Sequence, residues 1–186
     1  MANIIPFKSV RPSRNKVHQL CSRPFYNYKK SHLKAKLESN PYSFSHVINP
    51  EYNKVSKTKP NSFARFKLVK EKYEIFKRKN YLIKDQKPQF YIYRQTTEYG
   101  IFKGIIAGAS VKDYENNLIK KHENTIHKRE NIFKNYLEVT KFHAEPVLLA
   151  YNPTKKVQEI INKVILERPE YKFATTDKKD HELWLI

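Results

Sequence analysis

Glycine is nearly missing from this chain: Gly100, Gly104 and Gly108 are the only three among 186 residues. A Walker loop and a hydrolase nucleophile elbow each need glycines at fixed positions around their reactive residue, so neither is present. Gly104 to Gly108 also falls in a stretch of strand character, not in a turn that opens a helix. Cysteine is scarcer still. Cys21 cannot form an internal disulfide, fits a reducing compartment and leaves no Cys–His spacing for zinc. Long apolar runs are lacking too, since Ile105 to Ala109 and Val147 to Tyr151 are too short to span a bilayer. The opening MANIIPFKSV has only Ile4 and Ile5 before Pro6, so no signal peptide is expected. These deficits lead to the expectation of a cytoplasmic protein with no membrane partner and no metal site.

Acidic residues are the remaining shortage, 18 against 37 basic, for a formal charge of +19. Only 8 of the basic residues are Arg, and Lys, Asn, Ile and Tyr are abundant together, as AT-rich codons would produce. Arg is the side chain of bidentate phosphate and base recognition, so the charge alone is a weak argument for nucleic acid. Its distribution is uneven. Residues 1–60 carry 12 basic and 2 acidic side chains, whereas residues 101–186 carry 15 and 12. The first sixty residues form a basic subregion that suits a phosphorylated small molecule or RNA, or simply a solvated face.

Hydrophobic residues make up 39% of the chain, enough for one domain with a core. A strand interrupted at Pro6 is expected over 3–10, a helix capped by Ser31 over 31–39, and a strand over 43–48. Phe66, Val69, Tyr73 and Phe76 keep helical period in a helix from Asn61 or Ser62 to about Lys79. Gln89 to Gln95 and Ile101 to Ala109 read as a hairpin. Ser110 and Asp113 have capping-box spacing, Val147 to Tyr151 reads as a buried strand, and Thr154 caps a last helix. A second hairpin closes the chain around residues 177–180. The fold class expected is α/β (α+β), a mixed sheet with flanking helices. The whole reads as a single N-terminal portion of a larger domain, 1–186, with an α/β core at 61–186, cut within a strand at Leu183-Trp184-Leu185-Ile186.

Between Ser110 and Tyr136, steps of three or four residues connect Val111, Tyr114, Leu118, His122, Thr125, Arg129, Phe133 and Tyr136. On a continuous helix these share one stripe, apolar at both ends and polar in the middle, whereas a break near Asn124-Thr125, with Thr125 as a cap, would divide it. An inward-facing stripe would not place Arg where Leu belongs without something polar to meet it. Arg129 and His122 could bind phosphate or carboxylate, Thr125 could donate a hydroxyl, and Glu123 could orient an imidazole or accept a proton. The competing reading is a buried pair of Arg129 with Asp113 or Glu123. Arg11, after the first strand, is a further phosphate-contact candidate. The aromatic cluster Tyr26, Tyr28, Tyr42 and Phe44 is read as surface packing.

The segments MANIIPFKSVRPSRNKV, NPYSFSHVINPEY, RFKLVKEKY, GIIAGASVKDYENNLIKKHENT and AEPVLLAY, with the ending TTD…HELWLI, resemble the domain-of-unknown-function 1015 family of bacterial proteins, the Bacteroidota branch above all. Members of that family are generally longer, with an Asp-Gly-His-His-Arg motif soon after the Trp-containing strand. That motif is similar to one in ParB-like proteins and ADP-dependent free-serine kinases, and members often lie beside phosphoserine-pathway genes. The resemblance therefore implies phosphoryl transfer involving serine or phosphoserine, with a nucleotide and Mg as the cofactors such a reaction would draw on. His122-Glu123-x-Thr125 and Arg129 match the family pattern and are carried over as substrate- or phosphate-binding residues. The family's early Pro-Tyr-Asp-Val segment is replaced by Arg23-Pro24-Phe25-Tyr26-Asn27-Tyr28, so no acidic residue carries over there. The chain stops before the His-His-Arg motif, which implies half a site and a polypeptide inactive alone. Two alternatives stand beside this: a nucleic-acid-binding module of ParB-like ancestry, and a non-functional truncated product. Association through the C-terminal strand edge is also expected.

Overall fold

A computed structural model of the chain describes residues 2–22, 29–122 and 125–186. In chain order the elements are β1 (Ile4–Ile5), β2 (Val10–Pro12), α1 (Val17–Leu20), α2 (Lys30–Ser39), α3 (Ser45–Ile48), α4 (Phe63–Arg78), β3 (Leu82–Lys84), β4 (Tyr91–Thr97), β5 (Gly100–Ile106), β6 (Gly108–Ala109), α5 (Val111–Glu115), α6 (His127–Thr140), α7 (Lys155–Val164), β7 (Tyr171–Ala174) and β8 (Asp180–Leu185). They form two compact units. The first comprises Met1–Arg14, Lys84–His122 and Glu145–Ile186; the second comprises Asn15–Ile83 and Glu123–Ala144. No helix among the described residues is long and apolar enough to cross a membrane.

The first unit is built on a four-stranded sheet in the order β5-β4-β8-β7. Both expected hairpins are present, β4 with β5 and β7 with β8, and β4 then pairs with β8. Every one of these pairings is antiparallel. The α+β class holds, but the sheet is antiparallel where a mixed one was expected, because two tight hairpins need no crossover helix to return the chain. Gly100, at φ 136°, makes the first turn in a conformation that other residues avoid. Side chains two apart share a face, so Ile92 of β4, flanked by Ile105 and Trp184, meets Ile161 of α7. Val157, Val164 and Ile165 pack on the same cluster. Thr154 caps α7 as expected, its side chain accepting from the Val157 N–H. A short ladder joins β1 to β6, and there a Cβ on Gly108 would come within 3.1 Å of Ile5 Cγ1.

The second unit packs α4 against α6 and α3. Phe66, Val69, Tyr73 and Phe76 are all buried, as their spacing requires. Ser62 caps α4 by accepting from the Arg65 N–H. Phe66 meets Tyr136 edge-on at 5.3 Å between centroids, and Tyr73 stacks on Phe142 at 4.1 Å. Asn80, at φ 55°, stops α4: its N–H reaches Lys77 O, the Tyr81 N–H reaches Phe76 O, and the two rings pack at 5.4 Å. Hydrogen bonds of that pattern with an apolar contact are a Schellman stop.

Three expected elements differ. Ser43 to Ile48 is not a strand but leads into the single-turn helix α3, with Ser43, Ser45, His46 and Val47 all buried. Polar groups can sit inside because they are paired: Ser43 Oγ accepts from the Ser45 N–H, Ser45 Oγ meets Ser22 Oγ at 3.0 Å, and His46 Nε2 meets Asn40 O at 3.0 Å. The helix after Ser31 begins one residue earlier, and its N-cap is Lys29, without a side-chain cap. Val147 to Tyr151 forms no strand and is exposed. A strand exists only with a ladder partner, and among the described residues none is paired with this segment.

Candidate functional site

The stripe from Val111 to Tyr136 does not lie on one helix. α5 ends after a single turn and a half, and α6 starts afresh at His127. The stop is a second Schellman motif: Asn117 takes φ 59°, its N–H reaches Tyr114 O, and the Leu118 N–H reaches Asp113 O at 2.8 Å. Asparagine tolerates the left-handed conformation, so Asn116-Asn117 was the available signal for this break. The expected inward face is consequently absent. Val111, Tyr114, Leu118 and Phe133 are exposed, and only Tyr136 packs inward, against Phe66.

Asp113, weighed above as a buried partner for Arg129, is buried but anchors the N-terminal strand instead. Its carboxylate accepts the Asn3 N–H at 2.6 Å, while the Ser110 N–H donates to Asn3 O. Ser110 caps α5 by accepting the Asp113 N–H, so half of the expected capping box is formed. The carboxylate half is diverted to strand β1.

The candidate residues divide between the two units. His122 is exposed in the first; Thr125 and Arg129 are exposed in the second. Glu123 lies outside the described residues, as do Tyr26 and Tyr28. Thr125 and Arg129 come together at the start of α6. Ile126 is the N-cap there and can offer no side-chain acceptor, so the first N–H groups of the helix lack the usual capping partner. Lys128 and Arg129 stand exposed in that first turn. The Thr125 hydroxyl donates to Glu130, whose other oxygen meets His127 Nδ1 at 3.1 Å. The Glu130 carboxylate thus meets a hydroxyl and an imidazole at a helix N-terminus, the end of a helix that favours anions.

Arg11 occupies a different setting. It lies in β2, its Nε donates to Asp85 Oδ1 at 2.7 Å, and Nη1 donates to Glu170 Oε1 at 2.8 Å and to the Tyr171 hydroxyl. Asp85 is buried and also accepts from Ser9 Oγ at 2.8 Å and from the Tyr91 hydroxyl at 2.5 Å. Burial works to raise the Asp85 pKa, but the Tyr91, Arg11 and Ser9 hydrogen bonds outweigh it and hold the carboxyl below its usual range. Burial likewise works against the Arg11 charge, and its bonds to Tyr171 and Asp85 more than restore it. Tyr171 itself is pushed up to about 12, chiefly by burial. Two of the guanidinium nitrogens are therefore committed to carboxylates of the same unit, which ties β2 to β7.

Two further polar groups have no local signal in the sequence, because the register of the sheet brings together residues 88 positions apart. Arg94 grips the buried Glu182 through Nε at 2.6 Å and Nη2 at 2.5 Å and lies over the Trp184 ring. On the other face the Tyr93 hydroxyl meets His181 Nδ1 at 2.5 Å, Thr175 Oγ1 meets Nε2 at 3.2 Å, and Phe173 stacks on the ring. A neutral imidazole has one donor and one acceptor nitrogen, which suits two hydroxyl partners. Burial pushes the His181 pKa below the ordinary imidazole value. Among the described residues no three His, Cys, Asp or Glu side chains are grouped so as to hold a metal ion.

Sheets and helices define an α+β protein in which Thr125 and Arg129 stand at one exposed helix start. The family described as "Protein of unknown function (DUF1015)" matches residues 4–186, nearly the whole length, and the chain belongs to that family. Neither a curated protein nor a solved structure matches it.

Proposed function

We propose that this chain is part of an enzyme of phosphoryl transfer involving serine or phosphoserine, and that the start of α6 binds the phosphoryl group. The observation that supports this most is the first turn of α6, where Thr125 and His127 meet the Glu130 carboxylate and Lys128 and Arg129 are exposed. Glu130 stands in for an anionic oxygen, and a phosphate would compete with it for the same donors. Arg129 would hold phosphate by two parallel bonds and Thr125 would supply a hydroxyl, while His122 and Glu123 are further substrate-binding residues that the family pattern implies. Arg11, bound to Asp85 and Glu170, holds the fold of the first unit and reaches phosphate only by giving up one of those partners.

The test is to incubate the longest available form of the protein with serine plus ADP or ATP, and separately with phosphoserine. Formation or consumption of phosphoserine, reduced by Arg129→Ala, is expected; no turnover in either direction contradicts the reading. A nucleic-acid role is favoured by exposed Lys8, Arg14, Lys34, Lys54, Lys57 and Lys59 in the first sixty residues. It would instead give binding to mixed DNA or RNA that weakens steeply with salt.

A further inference from the structure

One row of charged side chains crosses all four strands of the sheet in the first unit. In register, Lys103 of β5 lies opposite Arg94 of β4, Arg94 opposite Glu182 of β8, and Glu182 opposite Lys172 of β7. Residues directly opposite share a face, and so do residues two apart along a strand. The neighbouring row on this face is therefore Ile105, Ile92 and Trp184, the cluster under α7. Three cations thus stand beside one carboxylate at the border of the core. The next row outward adds Asp180, opposite Thr96, so the cations still outnumber the carboxylates three to two.

The charges are not shared evenly. Glu182 is buried, and its Oε2 meets both Arg94 Nε at 2.6 Å and Arg94 Nη2 at 2.5 Å, while its Oε1 lies 3.7 Å from Lys172 Nζ. Arg94 thus directs two nitrogens at a single oxygen, and its Nη1 makes no hydrogen bond among the described residues. Lys103 is exposed, and what it meets is neutral: its Nζ donates to Asn162 Oδ1 of α7 at 3.4 Å. The Nδ2 of that amide supplies a further donor. Like charges directly opposite each other on one sheet face destabilise it, and Arg94 and Lys103 are such a pair. An anion between them would turn the repulsion into attraction. Lys172 stands apart, since β7 lies three strand spacings from β5, roughly 14 Å, and it serves Glu182 instead.

We propose that Arg94, Lys103 and Asn162 form a phosphate-binding site on the first unit, distinct from the start of α6 in the second, with Glu182 positioning the guanidinium. Arg94 brings the uncommitted edge of its fork, Lys103 a second charge and Asn162 an amide N–H. A phosphate dianion answers two cations, where a carboxylate would leave one unanswered. Trp184 is the chain's only tryptophan, and the Arg94 guanidinium lies 5.2 Å above its ring, so its emission reports on this site. The experiment titrates inorganic phosphate into the whole chain at constant ionic strength and follows Trp184 fluorescence. A saturable change is expected, its midpoint raised roughly tenfold by Lys103→Gln and by Arg94→Lys, which keeps a charge beside Glu182 but loses the fork. Lys103 is exposed, so its replacement leaves the fold intact. Arg129→Ala should leave the midpoint where it was. Phosphoserine and ADP, titrated in the same way, identify the ester that carries the phosphate by the lower midpoint. No saturable change, an equal change with chloride, a midpoint that Lys103→Gln does not move, or a signal lost in Arg129→Ala would each overturn the proposal.

Discussion

At the scale of single residues, the first unit is held by charges that are buried and paired. Asp85 has Arg11 and Ser9, both distant in sequence, and Tyr91, six residues further on, as partners. Removing the carboxylate takes away the buried acceptor shared by Arg11, Tyr91 and Ser9 and leaves the mostly covered guanidinium with Glu170 alone as counter-charge, so Asp85→Ala should cost roughly 3 kcal/mol. The midpoint of urea unfolding measures this, and a loss below roughly 1 kcal/mol would mean that Glu170 alone suffices to hold Arg11. His181 gives a pH dependence of defined sign. Its folded pKa lies below the unfolded value of about 6.5, so in between the unfolded chain binds a proton that the folded one refuses. Stability should therefore be full above about pH 7 and fall as pH drops below about 6.5. Asp85, also depressed, adds a second loss as pH falls through the carboxylate range. His181→Phe should remove the first slope and leave the second, which unfolding midpoints at a series of pH values would separate.

At the scale of elements, what a segment's own residues determine was legible and what its partners determine was not. α4 and α7 show this on the legible side: both apolar periods and both caps, Ser62 and Thr154, were readable because cap and period lie within the element. Within α7 the period still hides a difference that only packing reveals. Ile161→Ala should cost about 3 kcal/mol and Ile160→Ala well under half of that, since only Ile161 is enclosed by Ile92 and Trp184. Equal losses at the two positions would contradict the packing described. Ser43 to Ile48 alternates like a strand, but its buried serines and histidine are satisfied by Ser22 and Asn40, which no local pattern discloses. Asn117 was readable as a stop. It was outweighed by a stripe whose spacing ran straight through the break, because period alone cannot register a residue at positive φ.

At the scale of the whole molecule, the α+β class followed from the alternation of helices and hairpins, and family membership across residues 4–186 agrees with the resemblance read from the motifs. The candidate site was legible as composition and not as arrangement. Thr125 and Arg129 do stand at one helix start, while His122 belongs to the other unit and Arg11 to a buried network. The polar interruption of the stripe had suggested a ligand facing an interior helix; the structure puts Thr125 and Arg129 at an exposed helix start, where Thr125 and His127 meet the Glu130 carboxylate. Calorimetric titration of phosphoserine into the wild type, Arg129→Ala and Glu130→Gln tests this most directly. The account predicts saturable binding, weakened roughly tenfold or more by Arg129→Ala and strengthened by Glu130→Gln, which removes the competing charge. Absence of binding, or equal affinity in all three proteins, would contradict it.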